Sequence, residues 1–160
     1  VSYRDIFGEI LADHHESPRN YGALTDASAI EEGYNPLCGD KIKMFVKMET
    51  AAGAGSVQNK LAACTYEGEG CSICMASASI LSEMVKTKTV AEIDTLIESF
   101  REKMQGKESV EGLPAEDADE DIVALYGIKK FPVRIKCVLL AWTTLKKALH
   151  KHDSPAKETV

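Results

Sequence analysis

Apolar residues recur at Tyr3, Ile6, Phe7, Ile10 and Leu11, the spacing of one helical face. They predict a helix over residues 2–16, closed by His14 and His15. Ser17-Pro18-Arg19-Asn20-Tyr21-Gly22 supplies the turn formers that follow it. A short edge strand is expected near Ala29–Tyr34, and Asn35-Pro36-Leu37-Cys38-Gly39-Asp40 then reads as a loop. Beyond it Ile42, Met44, Val46 and Met48 alternate with Lys43, Phe45, Lys47 and Glu49. Period-two alternation of this kind marks a half-buried strand, with the first set facing inward. Gly53 and Gly55 place a hairpin connection at Ala51–Ser56, and Val57–Tyr66 forms a third strand running into Gly68-Glu69-Gly70.

The second half changes to helical periodicity. Ser72 is the expected N-cap of a helix reaching about Val85, and Thr89 caps another to Met104 with Ile93, Leu96, Ile97 and Phe100 on its apolar face. Gly106–Asp121 carries Pro114 and the acidic run Glu116 to Asp121, read as a solvated loop and the acidic start of a helix. A short helix near Ile122–Tyr126 and Pro132 lead to a last helix, about Val133–Leu149, in which Trp142, Leu139 and Leu145 form a core face. The tail, residues 151–160, has no core-forming pattern and is expected to fray. One helix, a small antiparallel three-stranded meander and then several helices make an α+β domain over residues 1–150, with the helices on one sheet face.

Composition narrows the function classes. The 160 residues carry 19 basic and 25 acidic side chains, a net charge of −6, which disfavours nucleic acid as the main partner. No apolar run is long enough to span a membrane. Val-Ser-Tyr-Arg-Asp at the start lacks a signal pattern, so the expected address is cytoplasmic. In that compartment thiols stay reduced, and an odd count of five cysteines argues for metal or thiol chemistry over stapling.

Three of the five lie at element ends. Cys38 and Asp40 flank Gly39, whose lack of a side chain lets the loop bend so that both can face one point. Cys71 follows Gly68-Glu69-Gly70 at a helix start, where the dipole lowers a thiol pKa, and Cys137 falls in the first turns of the last helix. Three thiolates and a carboxylate would complete a tetrahedral zinc site. A zinc ribbon would show two close cysteine pairs, whereas this chain has one Cys-x-x-Cys, at Cys71 and Cys74. Spacing alone therefore leaves open the reading of all five as small buried hydrophobes.

Asn-Pro-Leu-Cys-Gly-Asp (35–40), Gly-Glu-Gly-Cys-Ser-Ile (68–73) with Ala-Ser-Ala-Ser (76–79), and Arg-Ile-Lys-Cys-Val-Leu-Leu-Ala-Trp (134–142) resemble the U-type iron–sulfur assembly proteins, of SufE/NifU-like fold. Asp13-His14 and Pro18-Arg19-Asn20 also fit, so the likeness covers nearly the whole chain. It leans to the SufU branch: IscU-type scaffolds carry a His before the third cysteine, where this chain has Lys136, and the segment from Cys71 to Cys137 is long. The resemblance implies zinc held by Cys38, Asp40, Cys71 and Cys137. It implies a zinc-dependent sulfurtransferase that takes persulfide sulfur from a SufS-type cysteine desulfurase, with Cys38 as acceptor and Arg134 important beside it. Downstream iron–sulfur assembly or thiol-reducing components would be the other partners. The alternative is a scaffold building a cluster on Cys38, Cys71 and Cys137, with iron or a transient iron–sulfur cluster as cofactor.

The remaining candidates read as structure. Cys74 stands where the SufU-like pattern has Ser. With no βαβ pattern before it, a redox role for Cys71-Ser72-Ile73-Cys74 is weaker than a packed helix position. Cys64 is a strand residue on the face of Ala62 and Tyr66. Adjacent His14 and His15 point to different helix faces, so His14 is expected to cap the helix end or meet a partner. His150 and His152 belong to a frayed cationic helix end, and Glu67 and Glu69 to a solvated turn. Arg134, Lys41 and Lys136 are the cations expected to offset the charge of the thiolate site.

Overall fold

A computed structural model describes residues 8–49, 60–106 and 119–151 of the chain. Tyr3, Ile6 and Phe7, the Ala51–Ser56 connection, Glu116–Ala118 and residues 152–160 of the tail lie outside them. The elements run α1 (Glu9–Glu16), β1 (Ala29–Asn35), β2 (Asp40–Met48), β3 (Leu61–Glu69), α2 (Ser72–Met84), α3 (Val90–Gln105), α4 (Glu120–Tyr126) and α5 (Ile135–Leu149). Two short 3-10 turns, Gly127–Lys130 and Pro132–Arg134, join α4 to α5. The strands form one antiparallel sheet in the order β1-β2-β3. Helix α5 packs across β1 and β2, α2 packs against β3 and α5, and α1 lies on α2. This is the expected α+β architecture.

Sheet and helices share one core. Ile42, Met44 and Val46 point into it from β2, Leu61, Cys64 and Tyr66 from β3, and Ile93, Ile97 and Phe100 from α3. Trp142 is fully buried, stacked on Phe100 with ring centroids 3.8 Å apart, and its indole N–H donates to Ser77 Oγ at 3.0 Å. Burial of a large side chain of this kind stabilises the fold by roughly 1.5–3 kcal/mol, provided the indole N–H keeps a partner. Trp142 is thus the core residue that the helical spacing predicts.

Local signals set most boundaries. Thr89 caps α3 in a complete capping box: its hydroxyl accepts from the Glu92 N–H at 3.1 Å, and Glu92 Oε1 accepts from the Thr89 N–H at 3.1 Å. Asp119 caps α4, the acidic helix start expected there. β3 runs beyond Tyr66 to Glu69 because Lys41, Ile42 and Lys43 of β2 keep pairing with Glu69, Gly68 and Glu67. Both ends of its outer side are engaged: Leu61 N–H donates to Lys88 O at 2.9 Å, and Tyr66 bonds to the Asn20–Gly22 segment through Gly22 N and Asn20 O.

Several expectations change. Cys71, not Ser72, is the N-cap of α2; its backbone is extended and its sulfur accepts from the Cys74 N–H at 3.5 Å. Pro132 starts a separate 3-10 turn, so α5 begins at Ile135 instead of Val133. Phe45, on the face assigned to polar residues, is buried beside its cross-strand neighbours Ile30 and Thr65. His14 does not cap α1: it is buried, with Nδ1 2.7 Å from Ser79 Oγ and Nε2 3.3 Å from Asp121 Oδ2. His150 is anchored as well, its Nε2 2.8 Å from both carboxylate oxygens of Asp94 on α3.

Candidate metal site

The loop between β1 and β2 is a four-residue hairpin turn closed by the Asn35–Asp40 pair. Gly39 sits at φ +69°, a left-handed conformation that glycine adopts without strain. The turn holds Cys38 half-buried at its tip and delivers Asp40, the first residue of β2, fully buried beneath it. The other strand pair brings in Gly70 just past β3, packed so closely that a Cβ there would lie 2.9 Å from Asp40 Oδ1. Next in sequence, the Cys71 N–H donates to Asp40 Oδ1 at 2.8 Å, so the start of α2 points its dipole at a carboxylate. Cys137 arrives from the opposite side in the first turn of α5, fully buried.

Cys38, Asp40 and Cys137 form a compact group, each offering a ligand atom within 4.8 Å of the others. The Cys137 thiol donates to the Cys38 sulfur at 3.2 Å. Cys71 stands beside this group, its Sγ 4.0 Å from Asp40 Oδ2. The structure thus brings together three of the four residues expected to share a site and places the fourth against Asp40. Arg134 Nη1 reaches Cys38 Sγ at 3.7 Å. The other two expected cations lie elsewhere: Lys41 Nζ is over the Tyr34 ring at 5.8 Å, and Lys136 lines a groove with Arg101, Leu37 and Leu139.

The donor set fits a divalent ion of borderline softness. Two thiols and a carboxylate, with a third thiol adjacent, are a sulfur and oxygen donor set that zinc or iron takes. Asp40 supports this independently: it is a fully buried carboxylate whose hydrogen-bond partners, the Cys71 N–H and thiol and the Asn35 amide, carry no positive charge. A buried anion without a counter-charge is costly, and a cation among these side chains removes that cost. Burial, then the hydrogen bond with Cys38, pushes the Cys137 thiol pKa up, so without an ion Cys137 keeps its proton.

The other two cysteines behave differently. Cys64 is buried in β3, and burial pushes its thiol up to about 12. Cys74 is fully buried in α2, its pKa also raised by burial, and then by Asp40 and Cys71. Both are protonated core residues, as their sequence context indicates. Sequence reasoning passed over Asn35, whose amide lies 3.4 Å from Asp40 Oδ2 and 3.7 Å from Cys137 Sγ. Its position directly before the Pro36 turn, where Asn side chains commonly bond nearby backbone, was the available signal.

The family model of the NifU-like N-terminal domain matches residues 6–159. The chain belongs to this family. The zinc-dependent sulfurtransferase SufU of Bacillus subtilis is 36% identical over 148 residues, 92% of this chain and 92% of that protein. The iron–sulfur cluster assembly scaffold protein IscU of Thermotoga maritima is likewise 36% identical, over 153 residues, 96% of this chain and 99% of its own. Among solved structures, an iron–sulfur cluster assembly scaffold protein for the SUF system from Fervidobacterium islandicum matches with a TM-score of 0.77 at 28% identity, covering 92% of this chain and 99% of that one. The candidate site of this NifU-like domain is thus built on a fold whose relatives include both a sulfurtransferase and scaffolds. No helix among the described residues is long and apolar enough to cross a membrane.

Proposed function

We propose that this protein serves iron–sulfur cluster assembly as a zinc-dependent sulfurtransferase, taking persulfide sulfur from a SufS-type cysteine desulfurase. The observation that carries the reading is the Cys38 sulfur: half-exposed at a loop tip, 3.2 Å from the Cys137 thiol and 3.7 Å from the Arg134 guanidinium. Cys38, Asp40, Cys71 and Cys137 would hold the ion. Zinc, when bound, keeps coordinated thiols deprotonated at neutral pH and out of disulfides.

The transfer is thiol–disulfide chemistry. The Cys38 thiolate attacks the terminal sulfur of the donor's Cys–S–SH. A new S–S bond forms at Cys38 while the donor's S–S bond breaks; the terminal proton travels with its sulfur, and the donor cysteine leaves as a thiolate. No net oxidation occurs. Arg134, whose Nη1 lies 3.7 Å from the Cys38 sulfur, places a cation beside the attacking thiolate and the negative charge it passes to the leaving one. Lys136 before the third cysteine, where IscU-type scaffolds have His, supports sulfur transfer over cluster building. The 36% identity to the Thermotoga scaffold keeps a second reading, a cluster assembled on Cys38, Cys71 and Cys137.

Metal analysis combined with a desulfurase activation assay tests this. Wild type is expected to be colourless, to hold one zinc per chain and to raise desulfurase turnover, whereas Cys38→Ser accepts no radiolabelled sulfur. Transfer to Cys38→Ser at the wild-type rate would overturn the assignment. A brown protein after anaerobic reconstitution, with no effect on a desulfurase, would favour the scaffold.

A further inference from the structure

We infer that Asn35 is a positioning residue for the metal site, orienting two of its ligands and the loop that carries a third. This rests on the metal-site reading above. Asn35 is the last residue of β1, buried, and directly opposite Asp40 in the sheet register. Its side chain has two donor hydrogens and one acceptor oxygen, and each has an assignment. The amide nitrogen lies 3.4 Å from Asp40 Oδ2 and 3.7 Å from Cys137 Sγ, the longer distance suiting sulfur's larger radius. The amide oxygen accepts from the Leu37 N–H at 3.3 Å, bracing the turn one residue before Cys38.

The choice of an amide has a physical reason. Asp40 and Cys137 come from different elements, β2 and α5, and both need a donor that fixes their orientation. A lysine or arginine there would supply the donors but would also compete electrostatically with the cation the ligands are to bind. A serine has one donor and cannot serve both ligands. An asparagine orients both without adding charge, and its oxygen remains for the turn. The N–H aimed at Cys137 also withdraws electron density from that sulfur, so removing it makes the sulfur a stronger donor to a bound metal. Partners of this kind commonly change metal affinity by about 10–100-fold when removed.

The test uses the full chain, with zinc affinity from competition against a chromophoric chelator and visible spectra after loading with cobalt(II). Asn35→Leu, close in shape and without hydrogen bonds, is expected to bind zinc about 10–100-fold more weakly than wild type, because the lost orientation of Asp40 and the Cys38 turn outweighs the stronger sulfur donor. Its sulfur-to-cobalt charge-transfer band should move to lower energy, while the circular dichroism of the metal-free protein matches wild type. Asn35→Ala guards against a folding failure, because it removes the amide donors without adding charge or bulk; the same displacement of the cobalt band is expected. Variants that bind zinc as tightly as wild type with an unchanged cobalt spectrum would overturn the role of Asn35 and leave the site intact. A wild-type chain that takes up neither ion would overturn the site reading, and this inference with it.

Discussion

The backbone N–H of Cys71 donates to the carboxylate of Asp40 across 2.8 Å, tying the first residue of β2 to the N-terminus of α2. The contact is possible because residue 70 has no side chain: a Cβ at Gly70 would come within 2.9 Å of Asp40 Oδ1 and 3.3 Å of its Cβ. Two positions that sequence places 31 residues apart thus share one carboxylate.

Gly70→Ala should therefore displace Asp40. Overpacking at such a contact costs about 1–3 kcal/mol, and metal affinity should fall together with the denaturation midpoint. Chelator competition and urea titration on the same preparation check this. Unchanged affinity would mean that Asp40 does not need its present position to serve the site.

Thiol accessibility divides the cysteines. In metal-free folded protein, iodoacetamide should modify Cys38 and Cys71, the two half-buried thiols, ahead of buried Cys64, Cys74 and Cys137. Zinc should slow the reaction at Cys38. Peptide mapping by mass spectrometry reads the order, and early labelling of Cys64 or Cys74 would contradict their place in the core.

Alkaline pH should weaken the fold through Cys64. Its folded pKa, about 12, lies above the value of about 9 of a free thiol, so the folded state binds more protons between those values. The stabilisation is complete below pH 9 and is lost as pH rises toward 12, at up to about 1.4 kcal/mol per pH unit from this one group. Cys64→Val, which cannot ionise, should show a shallower decline of the urea midpoint over that interval. An identical slope would remove Cys64 from the explanation.

His14 bridges three elements, reaching Ser79 of α2 and Asp121 of α4 from its place on α1. His14→Leu keeps an apolar side chain at the buried position but leaves the Ser79 hydroxyl and the Asp121 carboxylate without their ring-nitrogen partners, at a cost of about 1–3 kcal/mol. Urea unfolding measures the change, and a stability equal to wild type would show the contact to be idle.

What could be read from sequence was what local physics encodes. The Thr89 cap, the alternation from Ile42 to Met48 and the turn at Asn35–Asp40 each act within a few residues, and each corresponds to an element boundary or face in the structure. The convergence of Cys38, Asp40 and Cys137 depends on strand register and on how α5 crosses the sheet, which no spacing reveals; here resemblance supplied what periodicity lacked. His14 failed the local reading for a related reason. Its burial is decided by Ser79, 65 residues away, and a helix end looks the same in sequence whether it faces water or another helix. Phe45 shows the limit of strict alternation, since a residue on the polar set can still be covered by neighbours the pattern does not name.

The engagement of β3 at Leu61 and Tyr66 has a consequence for self-association. An open strand edge is a template for pairing with another chain, and aggregation often begins there. Here Lys88 occupies one end of that edge and the Asn20–Gly22 segment the other, so little continuous backbone is left for a foreign strand to extend. On the far side of the sheet Lys151 Nζ donates to the Ile30 carbonyl of β1 at 2.7 Å, blunting that edge with a charge. The backbone that stays open in the described residues thus lies at loop tips and helix ends, the Cys38 turn among them, and not along a sheet edge.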